Sequence, residues 1–127
     1  MQPVKVDVAN YPDRPATALS FVRGDTIPLT FEFVNILEPY DVSGWDKYTI
    51  TFSPTAKPKS PLDVFSSEGE LVDVQLGDVA NKIVFELPEL PKAGNYVFDI
   101  QLEKSDGSNK YTPIIGAAQV YQDINQE

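Results

Sequence analysis

The chain has 127 residues, a length that predicts one domain with one hydrophobic core. It carries 10 Lys and Arg against 19 Asp and Glu, and the resulting net charge of −9 at pH 7 repels polyanions such as DNA, which argues against nucleic-acid binding. The absence of His and Cys removes imidazole bases, thiolate nucleophiles, disulfides and the usual zinc and haem ligands. We therefore expect a non-enzymatic protein with no cofactor.

The sequence also lacks the segments that direct a chain into or across a membrane. Residues 1–7 have neither the basic region nor the long apolar stretch of a signal peptide. No apolar run approaches the ~18 residues that a membrane-spanning helix needs. We expect a soluble protein that is not exported by a signal of its own and that has no membrane partner.

Apolar and polar residues alternate in many short segments, and 11 Pro and 7 Gly leave little room for helices, so the sequence predicts an all-β fold. In chain order, strands are predicted at residues 4–8, 18–22, 26–33, 47–52, 72–76, 83–87, 94–102 and 110–120. The predicted core consists of the alternating apolar residues Leu29, Phe31, Tyr48, Ile50, Phe52, Ile83, Phe85, Tyr96, Phe98 and Ile100. About seven to eight antiparallel strands are typical of a β-sandwich, and a closed barrel with the same strands is the alternative.

The last two predicted strands form a long hairpin in this interpretation. They are joined across Asp106 and Gly107, a pair of residues that is typical of tight turns. Pro113 lies within the second of them and has no N–H to donate to a neighbouring strand. The sequence therefore predicts either a sheet edge or a β-bulge at Pro113.

Three segments lack the period of a core strand, two that flank the predicted domain (residues 18–121) and one within it. They are a proline-stiffened N-terminal arm over residues 1–17, a long loop over residues 53–67 and a polar C-terminal tail over residues 122–127. Because the domain gains little by ordering such segments alone, we expect a partner protein to bury them. The candidate partner contacts are Val4, Tyr11, Pro12, Arg14, Trp45, Lys57, Lys59, Tyr121 and Ile124.

Aromatic residues are a further feature of the predicted strand ends. Trp45 directly precedes a predicted strand, and Tyr11, Tyr40, Tyr111 and Tyr121 lie at element ends or in the arms. Rings at such positions either pack against a sheet edge or cover an interface with another protein. The sequence leaves both interpretations open.

The tripeptide Arg23-Gly24-Asp25 matches the sequence that integrins recognise in extracellular ligands. The flanking segments are strand-like, and Gly-Asp is ordinary tight-turn chemistry. We therefore expect a turn rather than an adhesion motif. Gly24 should be its most sensitive residue, because a positive φ penalises any side chain there.

Carboxylates are concentrated at Glu68, Glu70, Asp73 and Asp78, where they could in principle bind Ca²⁺. No D-x-D-x-D-G spacing occurs, and the charges alternate with apolar residues, as on a solvated strand face. A catalytic carboxylate pair or a Ser–Lys dyad would need a defined cleft that no spacing in the sequence indicates. We therefore predict neither a metal site nor a catalytic site.

Residues 21–31, 40–45 and 94–100 carry, in order, the motifs R-G-D-T, D-V-S-G and G-N-Y. This order resembles the N-terminal immunoglobulin-like domain of tailed-phage upper baseplate proteins and related small phage virion structural proteins, over residues 18–120. The resemblance implies an immunoglobulin-like sandwich. It also implies a non-enzymatic building block of a phage particle, made in the host cytoplasm and present in many copies in the virion.

The resemblance also suggests the partners. Proteins of that family usually continue into further parts, whereas this sequence ends at Glu127. We therefore keep two expectations, a baseplate or tail accessory and a capsid decoration (cement) protein. The partners would be baseplate or tail proteins or the major capsid protein, and a homo-oligomer would also fit. The alternative is a free-standing β-sandwich module that binds carbohydrate or a cell surface.

Overall fold

The computed structural model describes residues 3–13, 17–26, 28–55 and 60–122. Within these ranges the chain forms nine strands and two short 3₁₀ turns, Val8–Asn10 and Pro61–Asp63. The strands are β1 Val4–Asp7, β2 Thr17–Val22, β3 Leu29–Asn35, β4 Glu38–Pro39, β5 Lys47–Ser53, β6 Phe65–Leu71, β7 Lys82–Phe85, β8 Gly94–Glu103 and β9 Lys110–Tyr121. The all-β prediction is confirmed. None of the helical turns in the described residues has the length and apolar character needed to span a bilayer.

Eight strands form one curled mixed sheet in the order β1-β3-β7-β6-β5-β8-β9-β2, and β4 pairs with β3 beside this path. Most neighbouring strands are antiparallel, but β1 is parallel to β3 and β2 is parallel to β9. These parallel pairs lie at the two ends of the order, so β1 and β2 are the edge strands among the described residues. The expected antiparallel pairing therefore holds inside the sheet and not at its edges.

The two parts of the sheet meet at β6, which changes its partner along its length. Residues 65–68 pair with β5, and residues 69–71 pair with β7. Gly69 lies at this change of partner. A Cβ atom placed on Gly69 would lie 2.5 Å from the Phe85 ring, so only glycine allows the strand to run this close to that ring.

The core lies between the two halves of the curled sheet. Phe31 of β3 and Phe98 of β8 contact each other across it, with ring centroids 6.3 Å apart, and Phe98 also lies 5.7 Å from Phe52. All ten predicted core residues are buried: Leu29, Phe31, Tyr48, Ile50, Phe52, Ile83, Phe85, Tyr96, Phe98 and Ile100. The alternation of apolar residues therefore identified the inward face of each of these strands correctly.

The strand predicted over residues 72–76 is wrong, because the structure places a strand earlier, at β6. β6 begins inside the expected loop of residues 53–67, whereas Val74 and Leu76 are exposed in the connection to β7. The half-buried positions of β6 include Ser67 and Gly69, so the strand lacks the apolar alternation that reveals its neighbours.

The N-terminal segment also differs from the expected arm, because Val4–Asp7 is a strand of the sheet. Val6 and Val8 are buried in the core, which provides apolar burial without any partner protein. The Asp7 carboxylate accepts hydrogen bonds from the backbone N–H groups of Ala9 and Ile36, both at 3.0 Å. The strand predicted near residues 4–8 is therefore confirmed, and it lies within the range predicted as an arm.

The predicted hairpin of β8 and β9 is present, and its register shifts once. Between Ile100 and Leu102, β8 advances two residues while β9 advances three, from Tyr111 to Ile114. Pro113 lies in this bulge, which confirms the second of the two alternatives for it. Near the start of β8, the Tyr96 hydroxyl donates to the Lys92 carbonyl oxygen at 2.7 Å and fixes the corner that leads into the strand.

Candidate interaction surface

The sheet places its connections at two opposite ends. One end carries the β3–β4, β4–β5, β6–β7 and β8–β9 connections, together with the 3₁₀ turn that follows β1. The other end carries the β2–β3, β5–β6 and β7–β8 connections. Aromatic and exposed aliphatic side chains are concentrated at the first end, which we call the apolar end.

An open groove of about 470 Å³ crosses the apolar end. Its lining consists of Val8, Tyr11, Asn35, Tyr40, Trp45, Asn109, Lys110 and Tyr111. These residues come from the segment after β1, the end of β3, the β4–β5 and β8–β9 connections and the start of β9. We call this feature the aromatic groove, because four of its eight residues are Tyr or Trp.

The rings of the aromatic groove contact one another directly. The Trp45 and Tyr111 rings are stacked at an interplanar angle of 21° with centroids 6.0 Å apart. Tyr11 meets Tyr111 edge-on, with centroids 5.0 Å apart. Such aromatic pairs stabilise a site beyond the effect of burial alone, so this lining is held in place before any partner arrives.

Polar contacts fix the loop that carries Trp45. Lys104 donates from Nζ to the Gly44 carbonyl oxygen, and this Nζ lies 5.8 Å from the centroid of the Trp45 ring. The Asp46 carboxylate accepts a hydrogen bond from the Ser105 backbone N–H at 2.9 Å, and this bond lowers the pKa of Asp46. The β4–β5 and β8–β9 connections are therefore tied together beside the groove.

Aliphatic side chains at the apolar end are exposed to an unusual degree. Ile36 and Leu37 form the tip of the β3–β4 hairpin and are 68% and 90% exposed. Val74, Leu76 and Val79 are exposed in the β6–β7 connection at the same end. Exposed apolar residues grouped in this way, in a chain with a net charge of −9, are typical of a surface that contacts another molecule.

The backbone at Ile36 has a conformation that favours glycine. Its φ is 61°, and Leu37 follows without a positive φ, which is the pattern of a type II′ hairpin turn. A β-branched residue is disfavoured there, and backbone strain of this kind is concentrated at functional positions. The turn therefore retains an exposed isoleucine at an energetic cost.

The turn at Arg23-Gly24-Asp25 lies at the opposite end and confirms the prediction of a turn. Gly24 has a φ of 88°, and the Asp25 N–H donates to the Val22 carbonyl oxygen at 3.1 Å. Arg23 is half-buried and donates from Nε to the Leu90 carbonyl oxygen at 2.9 Å, beside a pocket of about 240 Å³. Because the Arg23 side chain is bound to the β7–β8 connection, it does not project freely as an adhesion motif requires.

Replacing Gly24 with Ala is expected to lower the free energy of unfolding by about 1–2 kcal/mol, because an L-residue is strained at positive φ. Urea denaturation followed by circular dichroism measures this loss. Gly44→Ala is the matched control, since Gly44 has no positive φ and no atom lies within 4 Å of the position that a Cβ would take there. Equal losses in the two variants would contradict the assignment of strain to Gly24.

The acidic residues are spread over two elements. Glu68 and Glu70 are exposed on β6, and Lys47 lies 3.6 Å from the Glu68 carboxylate. Asp73 and Asp78 lie in the β6–β7 connection. In the part of the chain that the structure describes, no three acidic side chains are grouped closely enough to hold a metal ion. Glu68 and Glu70 therefore behave as the solvated strand face that the alternation predicts.

The structure brings some of the candidate contact residues together and separates others. Tyr11 and Trp45 share the aromatic groove, and Pro12 is exposed next to Tyr11. Val4 is half-buried against the core, and Tyr121 is exposed at the opposite end. The other candidates lie outside the described residues: Arg14, Lys57, Lys59 and Ile124.

Sequence reasoning missed the exposed aliphatic residues of the apolar end. Ile36 and Leu37 separate two polar residues, Asn35 and Glu38, that begin and end a two-residue hairpin loop. Two adjacent large apolar residues in such a loop are a detectable signal, because turns favour Gly, Asn, Asp and Ser.

Comparison with known proteins adds no assignment: no family model matches the sequence, and no curated protein is significantly similar to it.

Proposed function

We propose that the protein is a non-enzymatic structural subunit of a tailed-phage virion that binds neighbouring virion proteins through its apolar end. The grouping of the aromatic groove with the exposed tip residues Ile36 and Leu37 carries this proposal. The subunit would be made in the host cytoplasm and would be present in many copies, as a baseplate or tail accessory or as a capsid decoration protein. Its partners are then baseplate or tail proteins or the major capsid protein.

We propose further that the curled sheet is an immunoglobulin-like sandwich. The order β1-β3-β7-β6 in one half and β9-β8-β5 in the other supports this, because it follows the A-B-E-D and G-F-C orders of that fold. The hydrogen bond from Tyr96 to Lys92 also supports it, since a tyrosine at the start of strand F with this bond is a hallmark of the fold.

The residues that carry the family resemblance have structural roles that fit this proposal. Gly24 occupies a left-handed turn, and the Asp41 carboxylate accepts the Ser43 N–H at 2.8 Å in the next connection. Val42 is fully buried, and its carbonyl oxygen accepts the Tyr48 hydroxyl at 2.6 Å. The motifs therefore support the fold, and the virion role draws its support from the family resemblance combined with the apolar end.

The apolar end suits a contact that is repeated over a lattice. Burying exposed aliphatic residues such as Leu37 and Leu76 stabilises a contact by roughly 25 cal/mol for each Å² of apolar surface removed from water. Each contact is modest, but symmetry in a particle repeats it, and a subunit that contacts several neighbours gains avidity. A stacked and hydrogen-bonded groove next to the tip also limits the entropy lost on binding.

The variant Ile36→Gly with Leu37→Ser tests the proposal. It removes the exposed aliphatic tip and places glycine where the type II′ turn favours it, so the domain should stay at least as stable. We expect it to lose binding to particles that lack the protein, as measured by co-sedimentation. The matched control is Leu62→Ser, because Leu62 is 84% exposed at the opposite end of the sheet.

Mass spectrometry of purified particles gives the second measurement. We expect the protein in the particles, with tens of copies for a tail or baseplate position and hundreds for the capsid. Absence of the protein from the particles, or full occupancy by the tip variant, would contradict the proposal.

The aromatic groove favours one second candidate function, the binding of a carbohydrate. Tyr11 offers an exposed ring for stacking, and the amides of Asn35 and Asn109 line the same groove. A small number of polar groups among aromatic side chains is typical of ligand sites. Binding on a glycan array that Tyr11→Ala abolishes, without any association with particles, would favour this function over the virion role.

A further inference from the structure

We propose that the open edge of β2 pairs with β2 of a second copy of the chain, in antiparallel orientation, and extends the sheet across two molecules. This inference goes beyond the proposed function, because it concerns contact between identical copies and uses no residue of the apolar end. It rests on two observations, the backbone groups left open on β2 and the uncharged composition of this strand, and the net charge of the chain restricts where two copies can meet.

The pairing of β2 with β9 fixes which backbone groups are open. The two strands pair in parallel from Thr17 opposite Gly116 to Val22 opposite Tyr121. The Arg23 N–H donates to the Tyr121 carbonyl oxygen at 2.8 Å, so the residues with odd numbers direct their backbone groups towards β9. Ala18 and Ser20, which alternate with them, direct their N–H and C=O groups to the other side.

This other side of β2 is open in the part of the chain that the structure describes. No backbone hydrogen bond from those residues reaches Ala18 or Ser20 outside the ladder with β9. The Val22 carbonyl oxygen, which has the same orientation, accepts from the Asp25 N–H in the following turn. Ala18 and Ser20 thus present two donors and two acceptors, which is the arrangement that an added strand recognises.

The composition of β2 does not protect this edge. Edge strands usually carry charges or proline, or are very short, so that other chains cannot pair with them. β1 follows this rule, because it has four residues, includes Lys5 and Asp7 and comes directly after Pro3. β2 has six residues, T-A-L-S-F-V, without charge or proline. Its outward side chains, Ala18 and Ser20, are small and exposed, so a neighbouring strand can approach closely.

The net charge of −9 opposes contact between two copies and therefore restricts where such a contact can form. Two copies that each carry −9 repel each other, and a contact between them is most favourable where the contact surface is uncharged. An antiparallel partner with its Ser20 opposite Ala18 satisfies all four open groups, and a two-fold axis makes the two halves of this contact identical. Salt screens the repulsion between the copies, so association should become stronger at high ionic strength.

Sedimentation velocity over a range of concentrations, at low and high salt, tests the inference. For the unmodified chain we expect the mass to rise from 14.1 kDa towards twice that value, more readily at high salt. Ser20→Pro should abolish this rise and leave the melting temperature nearly unchanged. The Ser20 N–H is not part of the ladder with β9, and the proline ring blocks a strand on the open side.

Two lysine variants distinguish the effect of a charge on pairing at the edge of β2 from its effect on the overall repulsion between two copies. Ala18→Lys places a charge on the open edge, whereas Ala117→Lys places the same charge on β9, directly opposite Ala18 and one strand further in. Ala117 is also exposed, so both substitutions should be tolerated by the fold. We expect Ala18→Lys to prevent association and Ala117→Lys to leave it largely intact.

Amide hydrogen exchange provides a readout at the strand itself. We expect the Ser20 amide to exchange rapidly in dilute protein and at least tenfold more slowly at concentrations where the dimer forms, with Phe21 protected in both conditions. A monomer at every concentration and salt condition would overturn the inference. So would a dimer that persists in both Ser20→Pro and Ala18→Lys, or a dimer whose formation leaves the exchange of Ser20 unchanged.

Discussion

Replacing Phe98 with Ala is expected to lower the free energy of unfolding by about 3–5 kcal/mol, a large share of the stability of a small domain. Phe98 is 2% exposed and contacts Phe31 and Phe52, so it joins the two halves of the curled sheet. Removing its ring leaves a cavity between surfaces that are held apart by many other side chains and cannot collapse fully. Urea denaturation, monitored by tyrosine and tryptophan fluorescence, measures the loss.

The neighbouring residue provides the control for this prediction. Val97 is half-buried and projects from the opposite face of β8, so Val97→Ala should cost about 1 kcal/mol or less. The contrast between adjacent positions tests the alternation directly, because successive side chains of a strand point to opposite faces. If Val97→Ala cost as much as Phe98→Ala, the assignment of the inward face of β8 would be wrong.

The second large effect is expected at Gly69, where the sheet passes from one half to the other. Gly69→Ala should lower the free energy of unfolding by about 1–3 kcal/mol, because the new Cβ would overlap the Phe85 ring and force it to move. Phe85 is fully buried and its ring lies 5.8 Å from that of Phe31, so it has little freedom to do so. Chemical denaturation of the variant measures the effect.

A double-mutant cycle shows whether this overlap is the cause. In a chain that carries Phe85→Leu, the side chain at position 85 is smaller, and Gly69→Ala should cost less than in the unmodified chain. We expect the two changes to deviate from additivity by at least about 0.5 kcal/mol, as residues in contact do. Strictly additive losses would show that Gly69→Ala acts through the backbone instead.

The alternation of apolar and polar residues was sufficient to predict the core. Each of these strands presents one face to the opposite half of the sheet, so every second residue, such as Phe31, is buried. The same rule failed at β6 for a physical reason. The position nearest Phe85 has no room for a side chain, so glycine stands where the alternation requires an apolar residue. Glycine at such a close contact therefore interrupts the alternation by which strands are recognised.

The aromatic groove could be predicted only in part. The sequence indicated that Tyr11, Tyr40, Trp45 and Tyr111 lie at element ends, and each of these positions is compatible with an interface. Their meeting at one end depends on the pairing of β1 with β3 and on the β8–β9 hairpin. Of these two pairings, only the hairpin joins strands that are consecutive in the chain. Only the hairpin could therefore be predicted from the residues that connect its strands.

The pairing of β2 with β9 has a consequence for the order in which a growing chain folds on the ribosome. Thr17 lies opposite Gly116, so Thr17 is made 99 residues before the residue with which it pairs. Contacts of such large sequence separation form late, and a hydrophobic strand that waits for its partner is open to aggregation. Nascent chains that stop short of β9 should therefore depend on chaperones, and the domain should reach its native state only after β9 has been synthesised.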